Sequence, residues 1–198
     1  MRSPRERMVV SAALLIRERG AHATAISDVL QHSGAPRGSA YHYFPGGRTQ
    51  LLCEAVDYSG EYIAGLITRA ERSLELLDTL LDQYREQLVA TDFRAGCPIA
   101  AVAVEAGEAA DRERMAPVIA HAAAVFDRWS TMIAQRFVSD GVAPDRATEL
   151  AELAMSALEG ALLLARVRRD LAPLDRVHRQ LYNLLLAELP EGKTDDHH

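Results

Sequence analysis

The sequence predicts an all-α protein, with a small N-terminal domain of three helices followed by a larger helical domain and about nine helices in total. Apolar residues recur at three- and four-residue spacing along most of the 198-residue chain, as in helices with one buried face. Serine, proline and glycine stand where these patterns begin and end. No segment has the alternating pattern of a half-buried strand, and no internal repeat is present. The length suits one domain, or a small domain fused to a larger one.

The first helix is predicted to start after Ser3 and to stop at Gly20. Ser3 and Glu6 have the spacing of a capping box, and Pro4 occupies a position where no amide hydrogen is needed. Glycine is favoured where a helix ends. The face predicted to be buried carries Val9, Ala12, Ala13 and Ile16.

Two short helices should follow, separated by a tight turn. The second helix is expected to begin after Thr24, a good N-cap residue, and to end near His32. Ser33, Gly34 and Ala35 form the turn, and the third helix is expected at 36–44. The glycines of "PGG" at 45–47 end it. Two short helices joined in this way form a helix-turn-helix motif.

The remaining pattern predicts six longer segments, joined by loops that contain glycine or proline. Leucines and a tyrosine mark the buried face at 73–91, and aromatic residues mark one near the middle of 111–138. Short connections make neighbouring helices antiparallel. The predicted helices are 48–72, 73–91, 98–107, 111–138, 145–169 and 174–189.

Bulk composition excludes several classes of protein. The chain is 48% hydrophobic and 25% charged, which is typical of a soluble globular protein. No apolar run approaches the roughly 18 residues needed to cross a bilayer, and the N-terminus lacks a secretory h-region. Two cysteines, Cys53 and Cys97, are too few for a disulfide framework. We therefore expect a cytoplasmic protein with no membrane partner, no metal site and no cofactor.

Charge is unevenly distributed along the chain. Residues 1–52 hold seven arginines and three acidic residues, a net charge of +4, whereas the remainder holds 15 basic and 25 acidic residues, a net of −10. A basic first quarter on an acidic body indicates that the N-terminal end meets phosphate groups.

The predicted helix-turn-helix supplies candidate contacts to double-stranded DNA. In this motif the second helix enters the major groove with its N-terminal residues nearest the bases. Arg37 is then placed to donate two hydrogen bonds to a guanine, and Gly38 allows close approach of the backbone. Other candidates reach the bases or the phosphates from the third helix or from the starts of flanking helices, where free amides also attract anions. These residues are Thr24, Ser39, Tyr41, His42 and Arg48.

The segment "TAISDVLQHSGAPRGSAYHYFPGGRTQLL" resembles the DNA-binding segment of the TetR/AcrR-type transcriptional regulators. The matching positions are Thr24, Ile26, Gly34, Gly38, Tyr41, Phe44 and Leu51. Ser27 replaces the usual alanine, Ala40 the usual leucine, Tyr43 a common histidine and Arg48 a common lysine. The resemblance implies a DNA-binding domain at 1–50 and a ligand-binding and dimerisation domain at 51–190. Residues 191–198 are expected to be a disordered tail.

A second stretch, "FRAGCPIAAVAVEAG" at 93–107, is similar to the Gly-Cys-Pro segment of the LmrA/YxaF-like branch of that family. The resemblance implies a small-molecule pocket among the C-terminal helices, with an apolar or aromatic inducer that releases the protein from its operator. The polar residues expected to orient a ligand are Glu105 and His121. The other candidates for lining the pocket are Tyr62, Phe93, Cys97, Phe126, Trp129 and Met155.

The last two helices are expected to form a homodimer interface, as the resemblance also implies. Each carries a seam of apolar residues, and the alanines of the first seam allow two helices to approach closely. The seam residues are Leu150, Ala154, Leu158, Ala161 and Leu162 on one helix and Leu174, Val177, Leu181 and Leu184 on the other.

Two other functions remain open at this point. Cys97 precedes Pro98 at a helix start, where a thiol pKa can fall, so the chain could be a helical enzyme or a redox sensor. A helical interaction module that no longer binds DNA is the second alternative. The sequence contains no phosphate-binding loop and no recognised hydrolase motif, so an enzyme is disfavoured.

Overall fold

The computed structural model describes residues 2–105 and 112–190, and in these ranges the chain forms nine α-helices and no strand. The all-α fold class is therefore confirmed. No described helix is long and apolar enough to cross a membrane. The helices are α1 Pro4–Arg19, α2 Ile26–Ser33, α3 Ser39–Tyr43, α4 Gly47–Arg69, α5 Ser73–Ala90, α6 Pro98–Val104, α7 Arg112–Ser139, α8 Pro144–Arg168 and α9 Ala172–Glu188.

The chain divides into two compact units. Among the described residues, the first combines 2–62 with 94–105 and 112–126, and the second combines 63–93 with 127–190. This division differs from the boundary expected near residue 50, because α6 and the first half of α7 group with the N-terminal helices. The expected disordered tail at 191–198 lies outside the described residues.

The first unit is built on α1. Ser3 Oγ accepts from the Glu6 amide at 3.2 Å and Glu6 accepts in return from the Ser3 amide at 2.7 Å, so the predicted capping box is present. Met8, Ala12 and Ile16 are buried on one face of α1. Both α2 and α6 pack against this helix. The amide of Gly96 also donates to the carbonyl of Arg17 at 2.8 Å, which ties the loop before α6 to α1.

The start of α2 and the length of α3 differ from the prediction. Ala25, not Thr24, is the N-cap of α2, because the Thr24 hydroxyl is turned inward and donates to the Gly20 carbonyl at 2.7 Å. The helix α3 has only five residues, since Pro36 to Ser39 form a turn closed by a 3.0 Å hydrogen bond from the Ser39 amide to the Pro36 carbonyl. Local sequence preferences do not distinguish a tight turn from a first helical turn here.

The second unit is organised around α5, α8 and α9, with α9 packed against both of the other helices. Its apolar core includes Leu76, Leu81, Leu162 and Leu174. A side chain from elsewhere in the unit caps α5: the buried Asp140 carboxylate accepts from the Ser73 amide at 2.6 Å.

Polar contacts also join α5 to α9. Arg85 donates to Asp175 at 3.0 Å, and His178 lies between Asp78, at 2.6 Å, and Arg85, at 3.2 Å. These pairs line the edge of the contact and help to set its register.

Candidate nucleic-acid interface

The helices α2 and α3 are joined by a turn that requires glycine. Gly34 has a φ of +65°, in the left-handed region that disfavours side chains with a Cβ. Ser33 stabilises the turn, since its hydroxyl accepts from the Ala35 amide at 3.3 Å and its carbonyl accepts from Arg7 at 3.2 Å. These contacts fix the helix-turn-helix geometry against α1.

The inner side of α3 is anchored by apolar contacts. Ala40 and Phe44 are each 1% exposed, so the short helix is held near its start and at its C-cap. The Arg5 guanidinium lies 5.2 Å from the centre of the Phe44 ring and also pairs with Glu54 at 2.7 Å. A cation above an aromatic ring adds to the packing energy. This anchoring leaves the opposite side of α3 to the solvent.

Two of the predicted DNA-binding residues lie on that outer side: Tyr41, which is 71% exposed, and His42. Arg37 and Gly38 are exposed in the turn just before α3. A Cβ added to Gly38 would meet nothing within 4 Å, so the backbone there is open to close approach. In the described part of the chain, Arg37 makes no hydrogen bond or ion pair that would hold its guanidinium back. We refer to Arg37, Tyr41 and His42 as the reading face.

Ser39 lies beside the reading face but is partly engaged. Its hydroxyl donates to the Pro36 carbonyl at 2.7 Å and lies 3.9 Å from the Met8 sulfur. The oxygen lone pairs can still accept a hydrogen bond from outside.

Arg48 and Thr24 do not have the geometry expected of phosphate contacts. The Arg48 guanidinium donates to the carbonyls of Ala21 at 2.6 Å, His22 at 3.0 Å and Thr24 at 2.9 Å. Thr24 is 1% exposed, so its hydroxyl faces the protein interior. Both residues therefore hold the connection between α1 and α2. The family-like positions are present, but their side chains act within the chain.

The predicted pocket residues fall in both compact units. The first unit holds five of them and the second unit holds three. Tyr62 is exposed, Phe93 and Phe126 are half-buried, and Trp129 is buried. Phe93 also has a φ of +59°, next to Asp92 at +52°, so this loop adopts a backbone that most residues avoid.

The two polar residues expected to orient a ligand have partners in the protein. The Glu105 carboxylate accepts from the amides of Ala21 at 2.9 Å and His22 at 3.0 Å. His121 Nδ1 lies 2.7 Å from Asp57. The expectation that Glu105 faces a pocket is therefore not supported by its geometry.

The cysteines are both buried and unpaired by a disulfide. Cys97 is the N-cap of α6, as predicted. Burial raises the pKa of the Cys53 thiol, with the nearby Asp57 carboxylate contributing in the same direction. A raised thiol pKa means less thiolate at neutral pH, and therefore lower reactivity.

An apolar cavity lies in the second unit, lined by residues of α5, α7, α8 and α9. Its volume is about 30 Å³, far below the roughly 300–1,000 Å³ of typical ligand pockets. Met155 is the one predicted pocket residue among its walls. Methionine adapts its shape readily, so this wall can move more easily than the leucines around it.

Most of the predicted dimer seam is buried inside the subunit. The reason is that α8 and α9 pack against each other, and α9 also packs against α5. Ala154, Val177 and Leu184 are partly accessible. The buried seam residues are Leu150, Leu158, Ala161, Leu162, Leu174 and Leu181, so these six are corrected from interface to core.

A different side of α8 is apolar and exposed, and the sequence reasoning missed it. Its residues follow a spacing of three, four or seven and share one side of the helix. The signal was present in the run "ALLLA" at 161–165, which places leucine on opposite sides of one helix. We call the set the α8 stripe: Leu153, Gly160, Leu163, Leu164 and Val167.

Two protein-family descriptions match the chain. Residues 9–55 match "Bacterial regulatory proteins, tetR family", and residues 73–180 match "Transcriptional regulator LmrA/YxaF-like, C-terminal domain". Together they cover the helix-turn-helix and most of the second half of the chain.

Proteins of similar sequence are named as HTH-type transcriptional regulators. A protein of Mycobacterium tuberculosis named as an HTH-type transcriptional regulator is 81% identical over 191 residues, covering 96% of this chain and 98% of the relative. The HTH-type transcriptional regulators YxaF and LmrA of Bacillus subtilis are 30% and 28% identical. They align with 89% and 91% of this chain and with 92% and 96% of their own lengths.

Solved structures share the fold. A TetR transcriptional regulator from Legionella pneumophila matches with a TM-score of 0.78 at 19% identity, covering 93% of this chain and 98% of that one. A regulatory protein TetR from Rhodobacter sphaeroides matches with a TM-score of 0.76 at 24% identity, covering 91% and 98% respectively.

Proposed function

Because the chain belongs to the TetR family of bacterial transcriptional regulators, in the branch with an LmrA/YxaF-like C-terminal domain, we propose that it is a repressor that binds a palindromic operator as a homodimer. Membership makes it a DNA-binding regulator and not an enzyme. The proposal further includes release from DNA by a small hydrophobic molecule and action in the cytoplasm.

The observation that carries the proposal is the two-sided character of α3. Ala40 and Phe44 fix its inner side, while Tyr41 and His42 stand exposed on the other and Arg37 is exposed in the turn just before it. A guanidinium can bind guanine through two parallel hydrogen bonds in the major groove. The tyrosine hydroxyl and the imidazole can donate to neighbouring phosphates. Ser39 can contribute an acceptor beside them, and Gly38 leaves room for the DNA backbone.

The α8 stripe supports a second copy of the chain as the partner. Leu163 and Leu164 are large apolar side chains that a lone subunit leaves half-exposed. Gly160 stands near the middle of the stripe, where a Cβ would meet nothing within 4 Å. A partner helix can approach closely at such a position, because no side chain intervenes. Two subunits joined in this way would present two reading faces to one palindrome.

The proposed inducer site is the apolar cavity of the second unit. Its walls are almost entirely aliphatic, which favours an apolar or aromatic ligand. At about 30 Å³ the cavity is too small for such a ligand as it stands, so binding requires its walls to separate. A ligand that binds only the widened form shifts the protein toward that form. Release follows if the widened form fits the operator less well.

The test begins by selecting duplexes bound by the full chain from random DNA. Arg37→Ala is then compared with the unmutated protein on the selected sequence and on single-base variants of it. We expect a loss of about 1–3 kcal/mol of discrimination at one position of each half-site, with unchanged thermal stability.

Arg69→Ala is the matched control, since Arg69 is exposed at the last residue of α4 and is not part of the helix-turn-helix. Unchanged base preference in Arg37→Ala would remove Arg37 from base recognition. Failure of the unmutated protein to select any duplex would overturn the proposed function. A ligand screen on the selected complex then tests release.

A further inference from the structure

The connection between α1 and α2 is held from two sides by charged groups. The cation is Arg48, at the start of α4, which donates to three backbone carbonyls of this connection, those of Ala21, His22 and Thr24. The anion is the Glu105 carboxylate, which accepts from the amides of Ala21 and His22. Five polar groups of a short backbone segment are thus satisfied by one cation and one anion.

The approach of Glu105 depends on a glycine. Gly20 has a φ of +89°, and a Cβ at this position would lie 2.0 Å from a Glu105 carboxylate oxygen. No such contact is tolerated, so a side chain at position 20 would displace the carboxylate. Two backbone amides that converge on one anion form a small anion-binding concavity. The sequence places glycine where this concavity needs it.

Glu105 reaches the helix-turn-helix from a distant part of the chain. It is the C-cap of α6, and it lies within the segment that matches the C-terminal family domain, whereas Ala21 and His22 lie in the N-terminal match. The helix α6 itself packs on α1, and the loop before it is tied to Arg17. The end of α6 is therefore fastened to the backbone that leads into α2.

We infer that Glu105 is a positioning residue for DNA binding: its carboxylate, together with Arg48, fixes the α1–α2 connection and so sets the placement of the reading face. The inference rests on the proposed function and adds a residue that touches no DNA. The physical basis is that hydrogen bonds to an ionised group are about twice as strong as neutral ones. Without the carboxylate, the Ala21 and His22 amides lose their partner and the segment gains freedom.

Whether removal of Glu105 weakens or strengthens DNA binding distinguishes a positioning role from simple electrostatic repulsion. Removing a negative charge close to a polyanion strengthens binding, because repulsion of the phosphates falls. Removing a positioning group weakens binding, because the free protein must be ordered before it can bind. For Glu105→Ala we expect operator affinity to fall roughly tenfold, within the usual range of coupling between sites. The slope of log affinity against log salt should stay the same, since no phosphate contact is lost.

The experiment uses the full chain and three readouts: thermal unfolding, hydrogen exchange of the Ala21 and His22 amides, and affinity for a selected duplex across salt concentrations. Glu105→Ala should exchange faster at these amides and bind DNA more weakly. Glu105→Gln keeps an acceptor oxygen without the charge, so its effects should be smaller. Glu86→Ala, on an exposed part of α5, removes the same charge and should change neither readout.

A double-mutant cycle tests whether the two positions act through one contact. Gly20→Ala should displace the carboxylate and weaken DNA binding by itself. Because φ at Gly20 is +89°, alanine is also strained there without Glu105, so some loss of affinity should remain when Gly20→Ala is added to Glu105→Ala. The part that acts through Glu105 is the difference between the loss in the unmutated protein and the smaller loss in Glu105→Ala, and equal losses in the two backgrounds would contradict the coupling.

Two results would overturn the inference. Unchanged exchange in Glu105→Ala would show that the contact does not protect these amides. Faster exchange with unchanged or tighter DNA binding would reduce Glu105 to a local capping role. If the unmutated protein selects no duplex, the proposed function and the DNA part of this inference both fail, while the exchange readout still decides whether the contact exists.

Discussion

At the scale of single residues, Arg48 illustrates how the available hydrogen-bond acceptors decide between two roles for one charged group. An arginine that begins a helix next to a helix-turn-helix is well placed for a phosphate, and the resemblance of its position to a family lysine points the same way. Its Nε and Nη2 donors instead meet three carbonyls at distances of 2.6–3.0 Å. The planar guanidinium can reach several acceptors at once, which a lysine ammonium does with less fixed geometry.

The first prediction concerns the exchange of this guanidinium for an ammonium. Arg48→Lys keeps the charge but should lower the free energy of unfolding by about 2 kcal/mol, because two of the hydrogen bonds lose their donor. Urea unfolding followed by circular dichroism measures the change. Arg69→Lys is the control at an exposed position and should change stability little.

DNA binding supplies an independent readout for the same variant. If Arg48 acts only within the chain, the salt slope of binding should stay unchanged in Arg48→Lys and in Arg48→Ala. A slope reduced by about one unit per half-site in Arg48→Ala would restore the phosphate contact that the sequence suggested.

At the scale of helices, the ends of elements are stabilised by residues far away in sequence. Ser73 begins α5, yet its amide is satisfied by Asp140, which follows α7. An anionic side chain near a helix N-terminus also interacts favourably with the helix dipole. Glu105 does something similar for the backbone between α1 and α2. In both cases local sequence patterns predict the helices, but not the distant carboxylate that accepts from the backbone amides beside them.

The second prediction follows from the cap on α5. Asp140→Ala should destabilise the protein by about 1–2 kcal/mol, because a buried amide loses its acceptor at a helix start. The measurement is again urea or thermal unfolding. Asp127→Ala, at an exposed site in α7, serves as the control and should cost far less. Equal losses in the two variants would mean that Asp140 contributes no more than surface charge.

At the scale of the whole molecule, the proposed dimer depends on which face of α8 stays exposed in a single subunit. The helix carries leucine on both sides, so either side could have met α9 or a partner subunit. Leu162 is buried within the subunit, whereas its neighbour Leu163 is 49% exposed. An apolar face that stays exposed in a single subunit is typical of a protein interaction surface.

The third prediction tests that surface. Leu163→Glu places a charge in the α8 stripe and should weaken self-association at least tenfold, because a buried unpaired charge is costly. Analytical ultracentrifugation measures the dissociation constant. Val89→Glu makes the same kind of change at a residue of α5 that is 61% exposed, and it should leave the oligomeric state unchanged.

Operator binding provides the linked readout for this prediction. A weakened dimer should bind a palindromic duplex with a steeper dependence on protein concentration, since assembly and binding become coupled. A Leu163→Glu protein that remains fully dimeric would move the interface away from the α8 stripe.

The sequence by itself determined the all-helical class, the helix-turn-helix and the family, because these depend on local properties. The period of apolar residues, the capping box at Ser3 and the left-handed turn at Gly34 all involve residues a few positions apart. The solvent-facing side of α3 was predictable for the same reason, since Ala40 and Phe44 share the inward side.

Only the tertiary structure decided which charged groups have hydrogen-bond partners within the chain and which apolar groups are buried against other helices. Arg48 lies 24 residues from Thr24 and Glu105 lies 84 residues from Ala21, so no local pattern reports their contacts. The apolar residues of α8 surround much of the helix, and periodicity cannot choose which side meets α9. Burial and hydrogen-bond partners depend on how distant segments pack, because a donor is satisfied and a methyl group is buried only when those segments lie against it.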